Sequence, residues 1–260
     1  MKGHTHRAGF TIVETLLVLA ISSAIFLAII MTMSGRQGKA EFSQATKNIQ
    51  ADVQQTINEV ASGSYPSGNN FKCTGASGKP VFSASGIDQG TNQDCVFLGK
   101  VIQFKVQGTG PEQYNIFSIA GLRACGGATT CTTLAGAKPQ VINGGGFDVT
   151  ETKTLSYGLS VKSATAGAVG FISELGSLDD GGNYNSGTQP VDLMPVTGTN
   201  IGMPESGTIS AINNNLTTSP ANPTGGFTVC FQSGNTNQTA LMTIGSNGHD
   251  LAVKMEVKTC

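Results

Sequence analysis

From Phe10 to Met33 the chain runs 24 residues with one ionisable side chain, Glu14. As a helix rising 1.5 Å per residue this run is about 36 Å long, enough to cross a hydrocarbon core of about 30 Å. A secretory signal peptide also starts basic and turns apolar, and here Lys2, His4, His6 and Arg7 precede the run with no acid among them. The apolar core of a signal peptide, however, spans about 7–15 residues and ends at a small-x-small site. This run is longer, and Ser34-Gly35-Arg36-Gln37-Gly38-Lys39 behind it is a poor cleavage box. The segment therefore reads as a retained membrane span. Glu14 is its anomaly, because a carboxylate in such a run costs about 2.5–3.5 kcal/mol on insertion scales and is usually there for a partner and a function.

The string Gly9-Phe10-Thr11-Ile12-Val13-Glu14, continued by Thr15-Leu16-Leu17-Val18-Leu19-Ala20, resembles the N-terminal signature of type IV prepilins and pseudopilins. The resemblance implies that a prepilin peptidase on the cytoplasmic face cuts after Gly9 and releases residues 1–9 as a leader. It implies that Phe10 becomes the N-methylated terminus and that Glu14, then fifth in the chain, serves assembly. The physics fits: cleavage creates an ammonium group at Phe10, which can meet the Glu14 carboxylate of a neighbouring subunit. Paired in a low-dielectric bundle, the two ions offset each other's desolvation and favour one axial step between helices. Lys2 and Arg7 on one side of the run nearly balance Arg36 and Lys39 on the other, so charge alone gives the leader only a slight cytoplasmic preference. The cleavage motif decides the orientation.

Beyond the span the helical period continues. Phe42, Ala45, Ile49, Val53, Ile57 and Val60 are spaced 3, 4, 4, 4 and 3, one apolar stripe expected to pack on the protein's own domain. Lys47, Asp52, Gln55 and Glu59 are assigned to the opposite, solvated face. Gly35 and Gly38, each costing about 1 kcal/mol of helix propensity relative to Ala, mark an expected soft point at the join. The Gly63-Ser64-Tyr65-Pro66-Ser67-Gly68 run ends the helix. The organisation is thus a leader at 1–9, an assembly helix at 10–33, an amphipathic continuation at 34–62 and an exported domain at 63–260.

The exported domain alternates in β fashion. Strands are expected at Val96–Val106, Tyr114–Ala120, Thr154–Val161, Ala168–Ser173 and Gly226–Gln232, separated by Gly, Asn, Ser and Thr clusters that make turns. Leu241–Ile244 and Leu251–Val257 flank Gly245–Asp250 as a hairpin, with Asn247-Gly248 supplying positive-φ residues. In the last strand Leu251, Val253, Met255 and Val257 share one face, opposite Lys254 and Glu256. Such one-sided patterning favours antiparallel sheet. The fold class is α+β, pilin-like: a long N-terminal helix, membrane half plus amphipathic half, packed on antiparallel β-sheet.

Six cysteines, Cys73, Cys95, Cys125, Cys131, Cys230 and Cys260, all lie beyond the span. An even count in an exported domain favours three disulfides out of fifteen possible pairings. Sequential pairing, Cys73–Cys95, Cys125–Cys131 and Cys230–Cys260, is the expectation. No pair has C-x₂₋₄-C spacing and no pair of histidines accompanies them, which disfavours zinc.

Charged residues make up 12% of the chain and the formal net charge is −1. That lacks the basic face an electrostatic nucleic-acid binder needs. His249 beside Asp250 in a predicted turn is a solvated histidine rather than a triad member, whose imidazole must sit between nucleophile and carboxylate. Gly108-Thr109-Gly110 and Gly144-Gly145-Gly146 lack a phosphate-loop lysine and a following helix, and read as loops. Asp179–Asn185 offers oxygen ligands but lacks the glycine and terminal glutamate of a helix-loop-helix calcium site, so a turn is expected. Asn215-Leu216-Thr217 and Asn237-Gln238-Thr239 match the glycosylation pattern by chance. No cofactor and no enzymatic activity are implied.

Thr228-Val229-Cys230-Phe231 and the terminal hairpin are similar to the final strands of minor pseudopilins of type II secretion. The resemblances together imply a structural subunit of a type IV pilus or related filament. Its partners would be like subunits, the prepilin peptidase, the membrane and the inner-membrane assembly machinery. It would wait as a single-pass membrane protein, then join an extracellular or periplasmic filament. The alternatives are a minor pseudopilin of a secretion or DNA-uptake filament, or a membrane-anchored extracellular binding protein.

Overall fold

One helix, α1, runs unbroken from Ile12 to Ala61 and ends on Ser62, whose amide donates to the carbonyl of Asn58. The computed structural model describes residues 11–63, 71–75, 78–84, 94–104, 112–125, 130–144, 147–173, 191–218, 222–245 and 251–260. The expected stripe is buried along its whole length: Phe42, Ala45, Ile49, Val53, Ile57 and Val60 are at most 5% exposed. Gly35 and Gly38, expected as a soft point, lie within continuous helix. Gly38 also lies against the domain. A Cβ there would stand 2.9 Å from the Thr236 methyl, so the missing side chain lets the two surfaces close.

The domain begins with the paired strands β1 (Phe71–Thr74) and β2 (Val81–Ala84). Next come β3 (Cys95–Gln103), β4 (Gln113–Leu122), the short helix α2 (Leu134–Ala137) and β5 (Gln140–Val141). The small ladder of β6 (Asn143–Gly144) and β7 (Phe147–Asp148) leads to β8 (Glu151–Thr154), β9 (Leu159–Ala164), β10 (Ala168–Ser173) and β11 (Val191–Pro195). Helix α3 (Glu205–Asn215) precedes β12 (Phe227–Ser233), β13 (Thr239–Ile244) and β14 (Val253–Val257). Besides the two-stranded β1–β2 and β6–β7 pairs, the described strands form two larger antiparallel sheets. The larger runs β11-β10-β3-β4-β5, with β8 also paired to β4; the smaller runs β14-β13-β12-β9.

Three layers follow from the burial. The inner faces of both sheets meet the α1 stripe in one core, to which Phe97, Ile102, Phe171, Leu193, Phe227, Val229, Phe231 and Met242 contribute. The other face of the large sheet is covered by α3 and α2 over Leu98, Val101, Phe117, Ile119 and Ile172. Strands β3, β4 and β10 are therefore buried on both sides, which is why they read as nearly continuous apolar runs. The small sheet has one covered face, and β13 alternates accordingly. Along β14, Val253 is buried and Leu251 and Met255 are partly buried against the core, whereas Val257 projects past it, 63% exposed.

The predicted strand Thr154–Val161 is two strands in different sheets. Ser156–Gly158 turns between them, with Tyr157 at φ 56° and Gly158 at φ 65°. Two successive left-handed residues redirect the chain, sending β8 to β4 and β9 to β12 while Leu155 and Leu159 stay in the shared core. Helix α3 was not legible in the sequence. Its Glu-Ser-Gly-Thr-Ile-Ser-Ala-Ile-Asn-Asn-Asn composition is that of a loop, and packing of Thr208, Ala211 and Ile212 holds it helical. A bulge at Gly99 in β3 is obligatory: φ is 155°, and a Cβ would fall 2.0 Å from the Phe171 carbonyl oxygen.

Disulfides join Cys73 to Cys95, Cys125 to Cys131 and Cys230 to Cys260. The last fastens residue 260 back to β12 and closes a 30-residue loop, contributing about 3–4 kcal/mol in the chain-entropy view. If α1 is the keystone of the core, Ile49→Ala should destabilise the domain by about 2–5 kcal/mol in denaturant unfolding. A loss below about 0.5 kcal/mol, the range of surface substitutions, would mean that the domain holds together without the helix.

Candidate functional site

The strongest candidate is the bare half of α1. Every described side chain from Thr11 to Met31 is exposed, including Leu16, Leu17, Leu19, Phe26 and Leu27, each more than half exposed. The helix is long and apolar enough to cross a membrane, and none of its most apolar window is covered by the domain. Its hydroxyls are turned inward on the helix itself. Thr15 donates to the Ile12 carbonyl at 2.8 Å, Ser22 to Val18 and Ser23 to Leu19, both at 2.7 Å. Those groups need no water, as hydrocarbon surroundings require.

Glu14 lies in the first turn. Thr11 Oγ1 accepts the Glu14 amide at 3.3 Å, while Glu14 Oε2 accepts the Thr11 amide and hydroxyl, both at 3.1 Å. This is a reciprocal capping box that satisfies backbone donors the helix start would leave open. Its carboxylate thus sits within one turn of the chain start that cleavage after Gly9 would create, beside the positive end of the helix dipole. Gly9 and Phe10 themselves lie outside the described residues, as do His249, Asp250, the Asp179–Asn185 cluster, Gly108–Gly110 and Gly145-Gly146. All six cysteines are engaged in disulfides.

The other half of α1 is held by polar contacts that the sequence reading misplaced. Asp52 and Glu59 do not face solvent with Lys47 and Gln55; both are half-buried at the margin of the stripe and bond to the large sheet. Tyr114 donates its hydroxyl to Asp52 Oδ2 at 2.6 Å, and Lys153, the cross-strand neighbour of Tyr114, reaches Oδ1 at 3.5 Å. Lys100 is buried within β3 and lies 2.6 Å from Glu59 Oε2 and 3.5 Å from Glu151. Lys100, in the middle of the apolar run Val96–Phe104, was the available signal, since a buried ammonium requires an acid. On the far flank Gln50 donates to the Val253 carbonyl at 2.8 Å, capping the edge of β14.

These contacts set local acidities. Burial alone would raise the Glu59 carboxyl, but hydrogen bonds from Lys100 and Gln55, with the Lys100 and Lys153 charges, outweigh it and hold it below its ordinary value. Burial, then the bond to the Asp52 carboxylate and its charge, push the Tyr114 phenol far above its ordinary value.

A surface cleft of about 710 Å³ lies between the Cys73–Cys95 and Cys125–Cys131 bridges, lined by Thr74, Asp94, Leu122, Cys125, Gly136 and Lys138 among others. Among the described residues those walls bring together one acid, Asp94, and one cation, Lys138. Comparison with known proteins adds no relative: no family model matches the sequence, no curated protein matches it, and no solved structure matches the fold.

Since the folded-state pKa of Glu59 is lowered, the group adds stability that is complete above its ordinary value of 4.5 and is lost as pH falls through the folded value. Tyr114, with a raised value, adds stability that is complete below 10.0 and is lost at higher pH. Thermal unfolding across pH should therefore show a shallower acid limb for Glu59→Gln and a shallower alkaline limb for Tyr114→Phe. Limbs as steep as the wild type's would exclude these residues as the origin of the pH dependence.

Proposed function

We propose that this chain is a non-enzymatic structural subunit of a type IV pilus or related filament. On this reading it is cut by a prepilin peptidase after Gly9 and assembled through its N-terminal helix. The observation that carries the reading is the division of α1. One half is bare and apolar with Glu14 at its head; the other is clamped into a disulfide-bonded domain. A single such rod is costly in water and comfortable in lipid, where it can wait as a one-pass anchor. Bundled rods would bury the same surface against one another, leaving the domains outside and the filament extracellular or periplasmic.

Glu14 acts in the transfer between these two states. In the single chain its carboxylate is occupied by Thr11. In a bundle the Phe10 ammonium of an adjacent subunit offers it a full opposite charge, and one axial offset aligns the two. The partners on this reading are like subunits, the peptidase and the inner-membrane assembly machinery. Charged residues make up only 12% of the chain and its net charge is −1, so composition gives nucleic acid no support as a partner.

Glu14→Ala should leave membrane insertion unchanged while reducing incorporation into sheared filaments by tenfold or so, about 1.4 kcal/mol per subunit step. Intact-mass analysis and N-terminal sequencing of the sheared material should find methylated Phe10 as the first residue. Wild-type incorporation of Glu14→Ala would remove the assembly role, and a retained Met1 would remove the processing step.

A further inference from the structure

The end of the domain nearest the bare half of α1 has a composition of its own. Its level is fixed by contacts: Thr236 meets Gly38, and Gly234 of the same β12–β13 turn donates to the Gly158 carbonyl. Ala240 at the start of β13 pairs with Val257, Thr239 donates to the Lys258 carbonyl, and Lys162 donates to that of Cys260. The turn at Tyr157 and the end of β14 therefore share one rim with Gly38.

Three large apolar side chains of the domain are exposed among the described residues: Val81, Tyr157 and Val257. Two of the three lie on this rim, at 52% for Tyr157 and 63% for Val257. Tyr157 is held there at φ 56°, a conformation that bulky residues rarely adopt and that marks functional positions when tertiary structure enforces it. Around them Arg36, Lys39, Lys162 and Lys258 are exposed, against half-buried Glu41 and against Glu256, which pairs with Lys258 at 2.7 Å. This cationic excess is local, because the whole chain carries −1.

The spacing along α1 says what the rim meets. The apolar run ends at Met33 and the domain already meets α1 at Gly38, five residues or about 7.5 Å further on. The headgroup layer of each leaflet is about 5–7 Å thick. A rod seated with its apolar run in hydrocarbon therefore brings the rim to the lipid headgroups. Tyrosine at that depth is the residue bilayer interfaces select, and basic side chains there pair with anionic lipids.

We infer that, while the subunit is held in the membrane, this rim docks on anionic phospholipid headgroups, with Tyr157 and Val257 entering the interfacial layer and the surrounding cations facing lipid phosphates. The inference rests on the membrane-spanning part of the function proposed above. It gives the waiting subunit a fixed seat on the bilayer, which extraction into a filament must release.

The chain contains no tryptophan, so Tyr157→Trp supplies a single tryptophan that can be excited apart from the tyrosines. The full chain carrying it is reconstituted at low density in vesicles of phosphatidylcholine, with or without phosphatidylglycerol, whose acyl chains are brominated near the headgroup. Quenching should be on the order of twofold stronger with phosphatidylglycerol, and about 0.5 M salt or Arg36→Gln with Lys39→Gln and Lys162→Gln should abolish the difference. Val257→Trp gives an independent second reporter should Tyr157→Trp misfold. Leu19→Trp, near mid-bilayer at 1.5 Å per residue, reports on the span itself in vesicles brominated toward the acyl-chain ends. If Leu19→Trp is quenched and neither rim reporter is, the docking is overturned and the membrane reading stands. If Leu19→Trp is not quenched, the membrane reading fails. Equal rim quenching in both lipids, or quenching that follows protein density instead of lipid charge, would also overturn the inference; the latter would assign the rim to contacts between copies.

Discussion

The burial of one helical stripe governs this molecule. Phe42, Ala45, Ile49, Val53, Ile57 and Val60 fill the space where the inner faces of two antiparallel sheets converge, so the sheets share a core only because α1 lies in it. Full burial of side chains of this size is worth about 1.5–3 kcal/mol each, which makes the stripe a large part of a domain's marginal stability. The same helix continues bare for about two dozen residues. A chain that spends half its longest element on its own core leaves the other half uncovered, long and apolar enough to cross a membrane.

Much of this was legible because periodicity survives in sequence. The 3, 4, 4, 4, 3 spacing located the stripe residue by residue, and the uncharged run beyond Glu14 located the bare half. The cysteines pair in chain order, and Cys73–Cys95 ties β1 to β3. What escaped were features decided by tertiary contact. Nothing in Thr154–Val161 announces that Tyr157 and Gly158 turn left-handed and hand the chain from one sheet to the other. Helix α3 has weak formers throughout and exists because Ala211, Ile212 and Leu216 find the outer face of the large sheet. Asp52 and Glu59 were assigned to water because they fall off the apolar stripe. Their position at its margin, opposite Tyr114, Lys153 and Lys100, depends on which strands pack there.

The two ends of α1 use acids differently. At the N-terminus Glu14 satisfies backbone donors of its own first turn, an arrangement independent of the domain. Further along, Asp52 and Glu59 engage partners on β3, β4 and β8, so each carboxylate joins elements distant in sequence. The contrast separates a head that is free to change partners from a shank whose partners are fixed.

That shank has a mechanical consequence. Its anchorages at Gln50, Asp52 and Glu59 and its stripe are distributed along the helix axis, and the strand ends nearest the free rod are stapled by Cys230–Cys260. Tension drawn along the rod would load these attachments in parallel, as shear across an extended seam, instead of unzipping them one after another. Force on the helix would thus spread over several strands at once, and no single contact would carry it.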